Sequence, residues 1–351
     1  MRKYLISDQG KFYKANLHSH STFSDGKLTP AQMKELYQKH GYSIVAFTDH
    51  DIFLPHQELT DENFVAINGY EVAINNNYDG FVTDDTKPDI KKCHLCFLAE
   101  DPENAKQVCW HREKYLRWNT PKYKHLVQFD ENEPDFEREY SPECINKMIR
   151  IAKENGFFVT YNHPTWSRED YRQYTAYEGM DAMEIFNYAA FVSGNSEENE
   201  RVYEDMLRAG KKIYCIAADD NHNKFEEGHP RHNSFGGFIM LKADKLDYKT
   251  VIQSLKNGDF YASTGALIDE LYIEDGKLVV CCPGVARVNF ASSSRHGRAV
   301  IAEPGGTVTR AEFQLSPNDT FFRIKVVDFK GKTAYSNAYF IENYLQYFPK
   351  E

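Results

Sequence analysis

Two histidines two residues apart, His18 and His20 in Asn16-Leu17-His18-Ser19-His20, lead the residues of this chain that could do chemistry. Alternate side chains of a strand share a face, so both imidazoles project to one side and Leu17 to the other. Asp25 follows in Ser24-Asp25-Gly26, near enough to fold back over the same strand end. The apolar run Ile44-Val45-Ala46-Phe47 passes straight into Thr48-Asp49-His50-Asp51, so charge appears where a strand stops. The arrangement returns in Gly69-Tyr70-Glu71, Lys92-Cys93-His94, Tyr161-Asn162-His163-Pro164 and Ala218-Asp219-Asp220-Asn221-His222. One buried histidine commonly does no more than satisfy its hydrogen bonds. Six of the thirteen, all in or at the ends of expected strands and accompanied by carboxylates, make up the usual ligand set for first-row divalent metals.

Bringing these residues together requires converging strands. From residue 12 to about 265, short apolar runs alternate with helical patterns, the signature of βα units and a largely parallel sheet. Phe64-Val65-Ala66-Ile67, Phe157-Phe158-Val159, Met183-Glu184-Ile185-Phe186 and Ile213-Tyr214-Cys215-Ile216 are apolar enough for strands covered on both faces. Thr29-Pro30-Ala31-Gln32 predicts a helix start: a capping threonine, a proline at the first position and a capping-box glutamine. Ser141-Pro142 opens another helix, with Ile145, Met148, Ile149 and Ala152 inward and Gly156 as its C-terminal cap, and Gly210 is placed to end a third. In a parallel barrel the C-terminal strand ends meet at one face, where active sites are built. The expected organisation is therefore an α/β barrel over residues 1–267, interrupted by a polar, aromatic-rich insertion at about 100–140 that is long for a connection and could form a lid. Residues 268–351 lose the helical period and read as a small β-sandwich, with Ser292-Ser293-Ser294-Arg295-His296-Gly297-Arg298 as an exposed turn or an overhang of the barrel mouth.

The ordered series His18-x-His20 with Asp25, Thr48-Asp49-His50, Glu71, His94, Asn162-His163-Pro164 and Asp220-x-His222 resembles the polymerase and histidinol phosphatase (PHP) superfamily over roughly residues 14 to 265. Phe260-Tyr261-Ala262-Ser263-Thr264-Gly265 is similar to the end of that domain in its metal-dependent phosphoesterase branch. The resemblance implies a distorted (βα)7 barrel holding two to three divalent ions, manganese, iron or zinc. Carried over position by position, His18, His20, Glu71 and Asp220 would hold one ion, and Glu71 would bridge to a second at His94 and His163. Asp25, His50 and His222 would take a third. Several family members have histidine where Asp25 stands, which implies a harder or weaker third site here.

Divalent ions at three such sites outweigh the carboxylates of Asp25, Glu71 and Asp220, leaving a positive site that attracts phosphate. Clustered metals also lower the pKa of a bridging water from 15.7 towards ~7, giving a hydroxide for in-line attack on phosphorus. The expected activity is hydrolysis of a phosphate ester, a small phosphorylated metabolite or a nucleotide, with a phosphomonoesterase favoured. Asp49, Asp51 and Asp219 flank the ligands and are placed to orient imidazoles or act as a general acid. Arg168, Arg231 and His232 follow on loops of the same face and could clamp a phosphate. Lys114, Arg117 and Trp118 suit either a nucleotide or a solvated helix face with one buried tryptophan. Cys93 and Cys96 fall on opposite strand faces with no second pair, so a zinc ribbon is not expected. A nuclease acting on short oligonucleotides and a non-catalytic metal-binding or interaction module remain as alternatives.

Composition sets the outer limits. The 351 residues are 41% hydrophobic and 14% aromatic, enough for a substantial core. With 52 acidic against 42 basic residues the net charge is -10, which argues against long nucleic acid or anionic membrane as a partner. Seven cysteines without regular spacing do not resemble a disulfide framework. The opening residues carry no apolar run suited to a signal peptide, and no later stretch approaches the ~20 apolar residues of a membrane span, so the expected location is the cytoplasm. The oligomeric state is left open.

Overall fold

The computed structural model describes residues 2–76, 90–295 and 297–348. The first strands are β1 (Arg2–Tyr4), β2 (Lys11–Asn16), β3 (Tyr42–Phe47), β4 (Val65–Asn75) and β5 (Lys92–Ala99). They continue as β6 (Phe157–Asn162), β7 (Ala182–Asn187), β8 (Tyr214–Ala218), β9 (Phe238–Ala243) and β10 (Phe260–Ser263). The tail holds β11 (Glu270–Glu274), β12 (Lys277–Val285), β13 (Arg287–Ser292) and β14 (Arg298–Ile301). It closes with β15 (Val308–Gln314), β16 (Phe321–Val327), β17 (Thr333–Ser336) and β18 (Tyr339–Phe340). The helices are α1 (Pro30–Lys39), the four-residue α2 (Thr120–Tyr123), α3 (Pro142–Glu154), α4 (Tyr171–Tyr174), α5 (Tyr188–Val192), α6 (Glu200–Arg208) and α7 (Tyr248–Asn257). Helix α1 starts at the expected Thr29 capping box, and α3 starts at Ser141 with Ile145, Met148, Ile149 and Ala152 buried.

One sheet runs β14-β13-β16-β17-β10-β9-β2-β3-β4-β5-β6-β7-β8, with β18 paired to β16. What bends it is a single apolar cluster that takes a fully buried side chain from each of eight strands: Ala15, Ala46, Ile67, Leu98, Phe158, Ala182, Ile216 and Ile239. Val251, Ile252 and Leu255 of α7 join them. The sheet is less parallel than the βα pattern suggested, because β5 runs antiparallel to both β4 and β6 and β9 runs antiparallel to β2. The β4–β5 ladder extends to Asn75 paired with Lys92, an antiparallel pairing that needs no helical crossover. Nor, among the described residues, do the ladders close into a ring. The edge strand β8 meets β2 only beyond the ends of both, at the bridge Ser19–Asn221, with His20 N donating to Asn221 O (3.0 Å) and Asp220 N to His18 O (3.0 Å).

The tail forms two layers. Strands β1-β11-β12-β15 make a four-stranded sheet, and β13, β14, β16 and β17 continue the large sheet through the β10–β17 pairing. Leu271, Ile273, Leu278, Val280, Phe313, Ile324 and Val326 share the apolar cluster between them. Arg323, almost wholly buried, reaches Glu200 and Glu204 of α6 at 2.9 and 3.3 Å. The Ser292–Ser294 turn sits on the α6 side, where Ser293 O accepts from Arg208 at 2.9 Å; His296 lies outside the described residues. No helix among the described residues is long and apolar enough to cross a membrane.

The end of the insertion is tied down by a buried carboxylate. Glu169 accepts hydrogen bonds from Tyr140 (2.7 Å), Tyr161 (2.5 Å) and Tyr177, and burial pushes its pKa up to about 7 against the pull of the three hydroxyls. An acid held above its unfolded value of about 4.5 keeps a proton that the unfolded chain has released. Stability therefore falls as pH rises from about 4.5 to about 7 and is flat above it, by about 3 kcal/mol in total. Glu169→Gln is expected to flatten that slope, as read from urea unfolding of variant and wild type at pH 5 and pH 8.

Candidate metal centre

The site grows out of the strand pleat. Counting by two from the buried cluster, Leu98 leads through Cys96 to His94, Ile67 through Gly69 to Glu71, and Ala46 through Thr48 to His50. In the same way Ile216 leads to Asp220, Phe158 to Asn162, and Ala182 to Glu184. His94 belongs to this set because β5 is reversed: its N-terminal end lies beside Ala73 of β4 and Asn162 of β6, at the face where parallel neighbours end. Asp51, His163 and Asp220 all take left-handed φ values (56°, 28° and 51°), a strained backbone that clusters at functional sites.

All nine expected ligands come together. Glu71 stands at the centre, fully buried. Its Oε1 lies 3.0 Å from His94 Nδ1, 3.2 Å from His163 Nε2 and 3.4 Å from His18 Nε2. Its Oε2 lies 2.9 Å from His50 Nδ1 and 3.4 Å from His20 Nε2. Asp220 Oδ1 lies 2.9 Å from His20 Nε2 and 3.3 Å from His18 Nε2. Asp25 Oδ2 is 3.2 Å from His222 Nε2, on a turn where a side chain at Gly26 would meet His20 O at 2.2 Å. Burial opposes the charge on Glu71, yet His18, His94, His50 and His163 hold its carboxyl well below the usual range. Burial pushes His20 down to about 4 and His94 down to about 3, which leaves neutral imidazoles with lone pairs to donate.

Four sets of donor atoms are compact enough to hold a cation, each within 4.8 Å: His20, Asp25, His50 and His222; His18, Glu71 and Cys96; His18, His163 and Asp220; Glu71, His94 and His163. Several of these atoms lack the partner that burial demands. His20 Nδ1, Asp25 Oδ1, His50 Nδ1 and Glu71 Oε2 are buried without a hydrogen bond, the last two although they lie 2.9 Å apart. Buried nitrogen and oxygen donors left without hydrogen bonds, one pair of them face to face, fit divalent cations as the missing partners.

The residues expected to assist divide differently. Asp49 accepts from Ser21 N and Oγ (2.8 and 2.6 Å) and from Ser24 N and Oγ (3.1 and 2.5 Å), so it ties down the loop carrying Asp25 and orients no imidazole. Asp219 similarly accepts from the backbone of Phe235, Gly236 and Gly237 and from Tyr37 Oη, holding the next loop. Asp51 lines the cavity and pairs with Arg138 Nη1 at 2.5 Å. Arg231 lines the cavity, its guanidinium 4.8 Å from the Phe225 ring. Arg168 is exposed and off the cavity, because the left-handed turn at Thr165–Arg168 carries it outward. His232 is also off it, since its Nδ1 faces Phe225 O at 3.0 Å. Trp110 is the buried tryptophan of the insertion, and Trp118 is exposed at the cavity mouth beside Arg117, while Lys114 pairs with Glu137. All seven cysteines are free thiols, and Cys96 alone joins a donor set.

Sequence reasoning missed Glu184, fully buried on β7. Its Oε1 lies 2.7 Å from His18 Nδ1, and its Oε2 accepts from His163 N and Asn187 Nδ2, each at 2.8 Å. The signal was there: an ionisable residue inside the apolar run Met183–Phe186 is costly unless partnered. A carboxylate on the far nitrogen fixes the tautomer and aim of a ligand imidazole. Glu184→Gln is therefore expected to lower metal affinity about 10- to 100-fold, read by competition with a chelating dye; unchanged affinity would remove the orienting role. Lys92 and Lys224 also line the cavity, the latter with Nζ 3.1 Å from Asp25 Oδ2.

With the geometry in place, comparison with known proteins assigns the family. The chain resembles, at 14% identity and a TM-score of 0.43, a two-domain protein from Bacteroides vulgatus containing a predicted PHP-like metal-dependent phosphoesterase, over 92% of this chain and 94% of that one. A protein from Bifidobacterium adolescentis proposed as a metal-dependent phosphoesterase is 18% identical over 64% of this chain and 91% of its own, with a TM-score of 0.39. An amidohydrolase from Chromobacterium violaceum, solved with sulfate and no metal, is 16% identical over 59% and 87%, with a TM-score of 0.36. No curated protein matches the chain. The PHP domain model matches residues 16–221, more than half of the sequence and the span from before His18 to just past Asp220, so the chain belongs to the PHP domain family.

Proposed function

We propose that this protein is a metal-dependent phosphoesterase that hydrolyses the ester of a small phosphorylated metabolite or nucleotide. The observation that carries the reading is a buried carboxylate, Glu71, ringed by imidazoles with unpartnered donor atoms, at a cavity of about 320 Å³ that Lys92, Arg117, Lys224 and Arg231 also line. The lining sets these four cations against the carboxylates of Asp25, Asp51, Glu71 and Asp220, so divalent ions on the ligands would leave the cavity positive and favour an anion. His18, His20, Glu71 and Asp220 would hold one ion, Glu71, His94 and His163 a second, and Asp25, His50 and His222 a third. Bound divalent ions would acidify a water and stabilise charge on the phosphoryl oxygens. The chain's own part is to hold the phosphate: Lys224 and Arg231 approach from the loop after β8, and Lys92 from the start of β5. Glu184 keeps His18 aimed inward, and the strained backbone at His163 and Asp220 turns their side chains over the cavity.

The test is elemental analysis of protein purified without a chelator or a histidine tag, run beside a screen of phosphate release from phosphorylated metabolites and nucleotides. Two to three ions per chain with release from one substrate class is the expected result. No metal, and no turnover after adding Mn²⁺, Fe²⁺ or Zn²⁺, would overturn it.

A further inference from the structure

Two tryptophans line the cavity, and hydrolysis at phosphorus has no use for an indole. Trp118 is 52% exposed, with its ring centre 4.6 Å from that of His50. Its backbone takes the left-handed conformation (φ 51°), which costs a bulky residue free energy. The turn is nonetheless held on both sides. Arg117 N donates to Thr120 Oγ1 at 2.8 Å, Thr120 Oγ1 donates back to Arg117 O at 2.7 Å, and Thr120 is fully buried. Asn119 N and Nδ2 donate to Ser24 O and Thr22 O, each at 3.2 Å, so the turn is fastened to the segment just before Asp25.

Trp166 is fixed in a parallel way on the His163 loop. Its backbone N–H donates to Glu197 Oε2 at 2.7 Å, its ring centre lies 4.9 Å from His163 and 5.5 Å from His94, and Lys92 Nζ sits over the ring at 4.6 Å. One indole thus stands beside His50, on a turn fastened to the segment that leads into Asp25, and the other beside the His94–His163 pair, on the loop that carries His163. With the phosphoryl group at the ligands, the rest of the ester, its alcohol, must lie along these walls. Indole faces bind flat rings by stacking and gain little from flexible polar chains.

We infer, resting on the phosphoesterase reading, that Trp118 forms a stacking surface for the leaving group, so that the preferred substrates are phosphate esters of alcohols carrying a flat aromatic or heteroaromatic ring. In the reaction, the water oxygen bonds to phosphorus, the ester P–O bond breaks, and the alcohol leaves with a proton that the water gives up. Trp118 is the specificity-determining residue, since it comes from the insertion and not from the strands that build the ligand set.

The test compares benzyl phosphate with butyl phosphate, esters of equal charge that differ in the ring, using Mn²⁺-loaded wild type, Trp118→Ala and Trp118→Phe. The benzyl-to-butyl ratio of kcat/KM is expected to fall about tenfold in the alanine variant and to stay within about twofold in the phenylalanine variant, the scale of one lost stacking contact. Binding of benzylphosphonate, which cannot be hydrolysed, followed by tryptophan fluorescence, should weaken in Trp118→Ala relative to butylphosphonate. Equal losses for both esters, or an unchanged ratio, would overturn the stacking site and leave the phosphoesterase reading standing. No phosphate release from any ester would overturn that reading, and phosphonate binding indifferent to Trp118 would then overturn the stacking site on its own.

Discussion

Glu71→Gln is expected to lower phosphate release by about 10³-fold or more, a loss of about 4 kcal/mol of transition-state stabilisation, and to reduce the metal content of the purified protein. The substitution keeps the shape of the side chain and removes only its charge. That charge faces His18, His20, His50, His94 and His163 within 3.4 Å, and among the described residues no other carboxylate reaches all five. Glutamine has one acceptor oxygen, so it cannot serve imidazoles on both sides at once. Elemental analysis and turnover, with a thermal melt to confirm folding, decide the matter. Activity within tenfold of wild type at full metal content would remove Glu71 from the centre of the site.

Arg138→Met is expected to destabilise the fold by about 3–5 kcal/mol, the cost of leaving one member of a buried ion pair uncompensated. The pair is Arg138 with Asp51, both almost wholly buried, and the guanidinium also donates to Ala73 O at 3.0 Å and packs over the Tyr115 ring at 4.4 Å. Asp51 is the neighbour of His50, and its own N–H donates to Glu71 O at 2.7 Å, so the damage should reach the metal site as well. Adding Asp51→Asn should restore part of the loss, because the stranded charge is then gone. Urea midpoints of the two single variants and the double variant measure this coupling. Additive losses would show that the two residues act separately.

The two residues also mark where the sequence stopped being readable. Ligand positions were legible because strand pleat and strand ends are local properties: His18 and His20 share a face, and His50 follows directly on Phe47. Partners were not legible. Asp49, Asp51 and Asp219 look alike beside histidines, yet one holds Ser21 and Ser24, one holds an arginine 87 residues away, and one holds the loop at Phe235. Strand direction was equally hidden, since Cys93–Leu98 has the same apolar pattern whichever way it runs. The reversal of β5 explains why His94 sits at the start of its strand when Glu71 and Asn162 lie towards the ends of theirs. Arg168 and Lys92 exchanged places for a similar reason: loop direction, not proximity in sequence to His163, decides which cation faces the cavity.

The pairing of β1 with β11 bears on how the chain is made. Arg2 and Glu274 face each other across 272 residues, and Leu5 and Ile6, just after β1, belong to the apolar cluster of the tail. A ribosome adding about 5–20 residues per second needs on the order of tens of seconds before the partner strand emerges. Throughout that interval the first strand is synthesised but unpaired, and the apolar residues behind it are open to chaperones and proteases until the last quarter of the protein arrives to cover them.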